Sequence, residues 1–146
     1  MSEIIDDRLK AVGDCLYRVA VKIILVRDKQ LLLVKEDAGW FSLPGGGWDY
    51  DEELRAALDR ELREEIDLGL SDVELEEQPV FIAHGGVFAG MPRLFLLFRA
   101  DLHESASPKS RERTHRWVTG DQLAKTQLGP NTEYARPFLT KLLRDR

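Results

Sequence analysis

The sequence lacks the features that define secreted, membrane and nucleic-acid-binding proteins. Its 146 residues include a single cysteine, Cys15, which excludes an internal disulfide and fits a reducing compartment. No apolar run approaches the roughly 18 residues of a membrane-spanning helix, and the first residues are polar and acidic, unlike a signal peptide. The net charge of -5 argues against broad nucleic-acid binding, which needs a basic surface. We therefore expect a cytoplasmic protein without membrane or nucleic-acid partners, with Cys15 as a small core residue.

The length and the apolar pattern predict one domain over residues 1–146, since this length can bury one core of ordinary size. Strands are predicted at 17–26, 31–34, 73–75, 79–83, 94–100 and 116–119, and helices at 51–66, 121–125 and 130–143. A polar stretch at 104–114 that contains Pro108 predicts an exposed, mobile loop. Strands mixed with helices without regular alternation predict an α/β fold (α+β in some classifications) with a mixed β-sheet and helices on both faces.

The predicted helix at 51–66 carries glutamates where a helix normally places apolar side chains. At about 100° per residue, apolar residues from Leu54 to Ile66 form one stripe. Glu61 and Glu65 fall within about 20° of Leu54, and Glu64 lies about 80° to one side. Taken alone, such a cluster is typical of a solvated helix face. Its place beside the apolar stripe instead favours a divalent cation, for which carboxylate oxygens are the preferred ligands.

A run of glycines, Leu43-Pro44-Gly45-Gly46-Gly47, precedes this helix. Consecutive glycines permit positive φ angles and close approach of the backbone to a ligand or to a helix start. A glycine triplet by itself is more typical of a tight turn than of a phosphate loop. Joined to the acidic helix, it predicts a turn that positions the helix and its metal, with Asp49 or Asp51 as the N-cap.

The spacing of these residues resembles the Nudix box of the Nudix hydrolases. The matching positions, at the spacings of that signature, are Gly46, Glu52, Arg60, Glu61, Leu62, Glu64, Glu65 and Leu68. One position departs, because the signature has Gly where this chain has Asp67. Asp tolerates the left-handed conformation of a helix C-terminus better than most residues other than glycine. Asp51 also stands where family members often have Gly.

The resemblance implies an α/β/α sandwich from residue 17 onwards and hydrolysis of a pyrophosphate linkage with Mg²⁺ or, alternatively, Mn²⁺. It implies that Glu61, Glu64 and Glu65 bind the metal, that Glu52 supports the site, and that Arg60 orients a catalytic carboxylate. We include Glu52 and Gly45 in the predicted metal site and take Arg60, Glu61, Glu64 and Glu112 as the predicted catalytic residues. The general base stays open between Glu61 and Glu112, whose other interpretation is a solvated charge in the polar loop.

Three functions are compatible with the sequence: a hydrolase of nucleoside diphosphates linked to a further group, a catalytically silent nucleotide sensor, and an interaction module with an acidic surface helix. The complete set of matching glutamates favours the hydrolase. The compact length fits a (deoxy)nucleoside triphosphate as the small-molecule partner, with nucleotide sugars and ADP-ribose as alternatives, in a monomer or homodimer. Four cations in or near strands could contact phosphates, although each is typical of an ordinary surface charge: Arg18, Arg27, Lys35 and Arg93.

Overall fold

One mixed β-sheet organises the computed structural model, which describes residue 5 and residues 7–145. The strands are β1 (Arg18–Arg27), β2 (Gln30–Lys35), β3 (Phe41–Ser42), β4 (Gly45–Gly47), β5 (Val73–Leu75), β6 (Phe81–Phe88), β7 (Met91–Leu102) and β8 (His115–Val118). The helices are α1 (Asp7–Lys10), α2 (Leu54–Ile66), α3 (Gly120–Ala124), α4 (Pro130–Glu133) and α5 (Arg136–Arg144), with a 3₁₀ turn at Leu70–Asp72. The sheet order is β3-β2-β1-β7-β5, with β4 on β1, β6 on β7 and β8 on β2.

Strand β1 is buried on both faces, as its apolar run predicts. Val21 and Ile23 face helix α2 and pack in one cluster with Leu62. Ala20 and Ile24 point to the opposite face, where a second cluster contains residues of α3 and α5. Two cores on opposite faces of a mixed sheet confirm the predicted α/β/α sandwich.

Helix α2 begins three residues later than predicted, and its N-cap is neither Asp49 nor Asp51. The N-cap is Glu53, whose side chain makes no capping hydrogen bond. Asp51 has a φ of 67°, a left-handed conformation that cannot lie within the first turn of a right-handed helix. The helix ends as predicted, because Asp67 adopts the left-handed conformation with φ 58° and ψ 36°. Both positions where the family pattern favours glycine therefore have positive φ.

The predicted C-terminal helix is broken into α4 and α5 at Tyr134 and Ala135. Pro137 causes the break, because it has no N–H to continue the helical ladder and its ring clashes with the carbonyl four residues earlier. The guanidinium of Arg136 then donates to the carbonyl oxygens of Leu123 (2.6 Å) and Thr126 (2.8 Å), which fixes α5 against the end of α3 and the segment that follows it.

Two further predictions need correction. Cys15 is exposed rather than part of the core, since it precedes β1 outside the sheet. The loop at 104–114 is largely exposed but is anchored, because the backbone N–H groups of Lys109, Arg111 and Glu112 donate to the carbonyls of α2 residues. No helix in the described part of the chain combines the length and apolarity needed to cross a membrane.

Candidate active site

The three glycines form the short strand β4 rather than only a turn, antiparallel to β1. Gly45 has a φ of 133°, and a Cβ there would lie 2.1 Å from the carbonyl oxygen of Val21. A Cβ on Gly46 would lie 2.6 Å from a carboxylate oxygen of Glu61. Glycine is therefore required at Gly45 for contact with the backbone of β1, whereas a side chain at Gly46 would displace the carboxylate of Glu61.

Arg60 gathers carboxylates from the loop before α2 and from the second half of the helix. Its guanidinium binds both oxygens of Glu52 (2.8 and 2.9 Å), one oxygen of Glu61 (2.9 Å) and the carbonyl of Gly47 (3.0 Å). Glu64 lies 3.8 Å from the same guanidinium. The hydrogen bond from Arg60 lowers the pKa of Glu52, whereas burial raises the pKa of Glu61 despite the opposing effect of Arg60. With Asp49 at 3.6 Å, the residue predicted to orient a carboxylate thus contacts four of them.

Glu65 is the buried carboxylate of the site, with 4 % of its surface exposed. Its Oε1 accepts the backbone N–H of Gly45 (2.7 Å), and its Oε2 lies 3.0 Å from Nε of Arg113. Burial raises the pKa of Glu65 to about 7, although Gly45, Lys22 and Arg113 act in the opposite direction. A buried carboxylate at the edge of an apolar stripe is what the helical spacing predicted.

Lys22 is a site residue that sequence analysis missed. It lies in the middle of β1, is 4 % exposed, and its ammonium group contacts the carbonyl oxygens of Leu43 (3.4 Å) and Gly45 (3.3 Å). Burial lowers its pKa, while the charges of Glu65 and other carboxylates raise it. Gly45 therefore links the two buried charges through its N–H and its carbonyl. The available signal was a lysine inside an otherwise apolar strand.

The loop before β8 reaches the C-terminal end of α2. The backbone N–H groups of Arg111 and Glu112 donate to the carbonyls of Glu65 (3.1 Å) and Glu64 (3.3 Å). Because the last carbonyls of a helix have no partner within it, these bonds cap α2. Glu112 is exposed, and its side chain makes no hydrogen bond or ion pair with the described residues. Arg113, which was not predicted, is the loop side chain that enters the site.

The donor set fits a divalent cation. Glu61, Glu64 and Glu65 are successive carboxylates on one edge of α2, and the raised pKa values of Glu61 and Glu65 show that nearby cations do not offset the cost of their burial. Across residue 5 and residues 7–145, no three acidic, His or Cys side chains converge into a ready metal cluster. Arg60 and Arg113 hold these carboxylates instead, so a cation would compete with two guanidinium groups.

A surface cleft adjoins the Glu52 end of the site. Its volume is about 510 Å³, and its walls include Tyr17, Arg18, Trp48, Tyr50 and Glu52. Trp48 packs partly against the α2 core and donates its ring N–H to the carbonyl of Glu52 (2.6 Å). This volume lies within the range of small-molecule pockets, roughly 300–1,000 Å³, and the aromatic walls offer stacking surfaces.

A sequence model of the NUDIX domain matches residues 16–142, which is most of the chain. The chain belongs to the Nudix family. Members of this family are pyrophosphohydrolases that act on phosphorus-containing anhydrides of small nucleotides, generally with divalent metal ions. This chain is a hydrolase of that class. The Nudix signature predicted from residues 46–68 is thereby confirmed.

Individual Nudix relatives are distant. The chain is 27% identical over 127 residues to the uncharacterized Nudix hydrolase YvcI of Bacillus subtilis, covering 86% of this chain and 80% of that protein. The Escherichia coli ORF135 protein shares 24% identity and a TM-score of 0.68, over 90% of this chain and 92% of that one. The Escherichia coli dihydroneopterin triphosphate pyrophosphohydrolase shares 13% identity and a TM-score of 0.69, over 90% of this chain and 99% of that one. These two structures agree with this chain in fold.

Proposed function

We propose that this Nudix hydrolase cleaves a pyrophosphate linkage in a nucleoside diphosphate joined to a further group, with a (deoxy)nucleoside triphosphate as the preferred substrate and Mg²⁺ as the metal. Mn²⁺ is a suitable substitute, because it also takes carboxylate oxygens. The observation that carries the proposal is the row of Glu61, Glu64 and Glu65 on the sheet-facing edge of α2. Burial of Glu61 and Glu65 has an energetic cost that a bound cation would remove.

Each residue has a proposed role. Glu61, Glu64 and Glu65 hold the metal, which would neutralise phosphate oxygens and lower the pKa of a bound water when present. Arg60 holds Glu52 and Glu61 in position through its three bonds to them. Gly45 aims Glu65 through its backbone N–H, which makes this glycine part of the metal site without a ligand of its own.

The base that accepts the proton of the attacking water is proposed to be Glu61 or Glu112. Arg60 binds Oε1 of Glu61. Oε2 of Glu61 accepts no hydrogen bond from the described residues, so it is open to a water molecule. The backbone N–H of Glu112 donates to the carbonyl of Glu64, but the side chain of Glu112 is exposed. Glu112→Gln distinguishes them at saturating metal: it loses most of kcat if Glu112 is the base and keeps kcat if Glu61 is the base, whereas Glu61→Gln removes a metal ligand in either case.

The preference for a triphosphate is supported by the compact chain and by the cleft beside Glu52, which has space for a nucleoside. The fold accommodates a triphosphate in the Escherichia coli dihydroneopterin triphosphate pyrophosphohydrolase. Nucleotide sugars and ADP-ribose are the alternative substrates, because they contain the same pyrophosphate group.

A hydrolysis screen with and without Mg²⁺ tests the proposal. Nucleoside triphosphates, nucleotide sugars, ADP-ribose and dinucleoside polyphosphates would be compared for the wild type, Glu64→Gln and Glu65→Gln. We expect metal-dependent turnover that falls at least about 100-fold in both variants, the upper end of the effect of losing an outer partner of a metal site. Glu53→Gln removes the same charge from the exposed N-cap of α2 and is expected to keep full activity.

Equal turnover by all four proteins would refute the metal site. Nucleotide binding without hydrolysis of any substrate would instead identify a nucleotide sensor. Absence of both nucleotide binding and metal binding would favour the interaction module.

A further inference from the structure

Two arginines lie side by side on the face of the sheet opposite α2. Strands β1 and β7 are parallel, and their register places Arg18 opposite Arg93. Both guanidinium groups lie over the ring of Phe88, at 4.7 and 5.6 Å from its centre, and that of Arg93 also lies 4.7 Å from the centre of Phe95. Parallel pairing and a shared aromatic platform therefore hold two like charges together.

Within the part of the chain that the structure describes, no carboxylate pairs with either arginine. Neither Arg18 nor Arg93 forms an ion pair or side-chain hydrogen bond with the described residues. Glu36 acts electrostatically on Arg93, but its carboxylate accepts from the ring N–H of Trp40 and from Asn131 (3.1 Å). Like charges on neighbouring strands repel each other, so the pair costs stability unless an anion binds it.

A third polar group on the same face is also without a partner among residues 7–145. The hydroxyl of Tyr134 is buried and has no hydrogen-bond partner among the described residues. Its ring packs against Phe95 at 5.0 Å between ring centres, and Arg93 contacts that same ring. A buried hydroxyl without a partner costs free energy, and a ligand oxygen beside Arg93 is a partner of suitable chemistry.

The arginine pair adjoins the active site through the glycine strand. Successive residues of a strand point to opposite faces. A Cβ on Gly46 would meet Glu61, whereas a Cβ on Gly47 would lie 3.0 Å from Nη2 of Arg18. The carboxylates and the arginines therefore lie on opposite faces of this short strand, and one surface cleft, lined by both Arg18 and Glu52, borders the two sides.

We propose that Arg18 and Arg93 form an anion site that binds the third phosphoryl group of a nucleoside triphosphate, which lies outside the two-phosphoryl linkage that all candidate substrates share. Guanidinium groups bind phosphate oxygens in pairs of charge-assisted hydrogen bonds. The site favours nucleoside triphosphates, whose third phosphoryl group it binds, over nucleotide sugars, which lack that group. This inference rests on the proposed function for its substrate, but anion binding itself can be measured without turnover.

The test titrates inorganic triphosphate into the protein in EDTA, with binding followed by calorimetry. We expect affinity to fall about 10- to 100-fold in Arg18→Gln and in Arg93→Gln, the effect of losing a charge-assisted hydrogen bond. Arg93→Lys should be intermediate, because it keeps the charge but not the planar fork. Arg99→Gln is the matched control, since Arg99 lies six residues further along the same face of β7 and should not alter binding.

Kinetics with Mg²⁺ separate the substrate classes. In Arg93→Gln, KM for a nucleoside triphosphate should rise about 10-fold or more with kcat nearly unchanged, and KM for a nucleotide sugar should not change. The melting temperature without ligand should stay the same or rise, because a repulsion is removed. Unaltered triphosphate affinity in both glutamine variants, or an equal rise in KM for both substrate classes, would overturn the proposal. Loss of affinity in a protein that hydrolyses nothing would uphold anion binding and refute the proposed function alone.

Discussion

The two sides of the glycine strand β4 carry opposite charges and are organised differently. On the side of α2, Arg60 binds Glu61, and Gly45 and Arg113 bind Glu65. On the other side, Arg18 and Arg93 lie together without an acidic partner in the described chain. The first side holds its carboxylates with arginines and a backbone N–H. The second has no carboxylate partner among the described residues, and its two positive charges are suited to an anion.

The largest expected effect is a loss of stability in Gly45→Ala, which adds a methyl group at the first residue of β4. Gly45→Ala would place Cβ 2.1 Å from the carbonyl of Val21 at a φ of 133°. Overpacking and backbone strain together should cost about 3–5 kcal/mol of the free energy of unfolding. Thermal denaturation should show a melting temperature lower by roughly 10 °C or more. A melting temperature within a few degrees of wild type would mean that β4 can move away from β1.

The acidic side predicts a pH dependence of stability in the metal-free protein. The folded pKa of Glu65, about 7, lies above the ordinary value of 4.5. Stability from the protonated form is therefore fully present below pH 4.5 and is lost as the pH rises through 7. In urea unfolding in EDTA, the free energy of unfolding of the wild type should fall by up to about 3 kcal/mol relative to that of Glu65→Gln across this range. Parallel pH curves for the two proteins would show that Glu65 is not buried.

Alanine substitutions at Gly46 and Gly47 test the two sides of β4 separately. Gly46→Ala crowds the carboxylate of Glu61, so kcat should fall about 10- to 100-fold, as for loss of an outer partner of a metal site. Gly47→Ala crowds only the end of the Arg18 side chain at 3.0 Å, so its main effect should be a rise of a few fold in KM for the triphosphate. Steady-state kinetics would measure both, and identical kinetic defects would contradict the separation of the two sides.

The smallest effect is expected at the loop arginine. Arg113→Gln removes the 3.0 Å ion pair with Glu65, whose carboxylate then keeps only the N–H of Gly45 and the nearby Lys22. The pH midpoint of the stability curve should move upward by less than about one unit, because Arg113 is partly exposed to solvent. Arg111→Gln, two residues earlier, is the control and should leave the midpoint unchanged. A downward shift would show that Arg113 does not stabilise the charged form of Glu65.

The acidic side was predictable from the sequence because it depends on local geometry. Helical periodicity alone placed Glu61 and Glu65 on the inward edge of α2, and the structure buries Glu65 to 4 % exposure. Asp67 was expected to accept a left-handed conformation, and it does. Within one helix, the spacing of residues determines which side chains share a face, so no knowledge of the sheet was needed.

The side of β4 that carries Arg18 and Arg93 was not predictable, because it depends on contacts between segments that are distant in the sequence. Arg18 and Arg93 are 75 positions apart in the sequence, and only the register of two parallel strands places them together. Lys22 was hidden for the same reason, since its carbonyl partners belong to the glycine strand. Cys15 was wrongly placed in the core because its neighbours are apolar although it lies outside the sheet.

Binding of Mn²⁺, measured by calorimetry at pH 7.5 in the absence of substrate, tests the metal site most directly. The account predicts that wild type and Glu53→Gln bind Mn²⁺ with the same affinity and that Glu65→Gln binds at least about 10-fold more weakly. Equal affinity in all three proteins, or no Mn²⁺ binding by wild type, would contradict the assignment of the α2 carboxylates as a metal site.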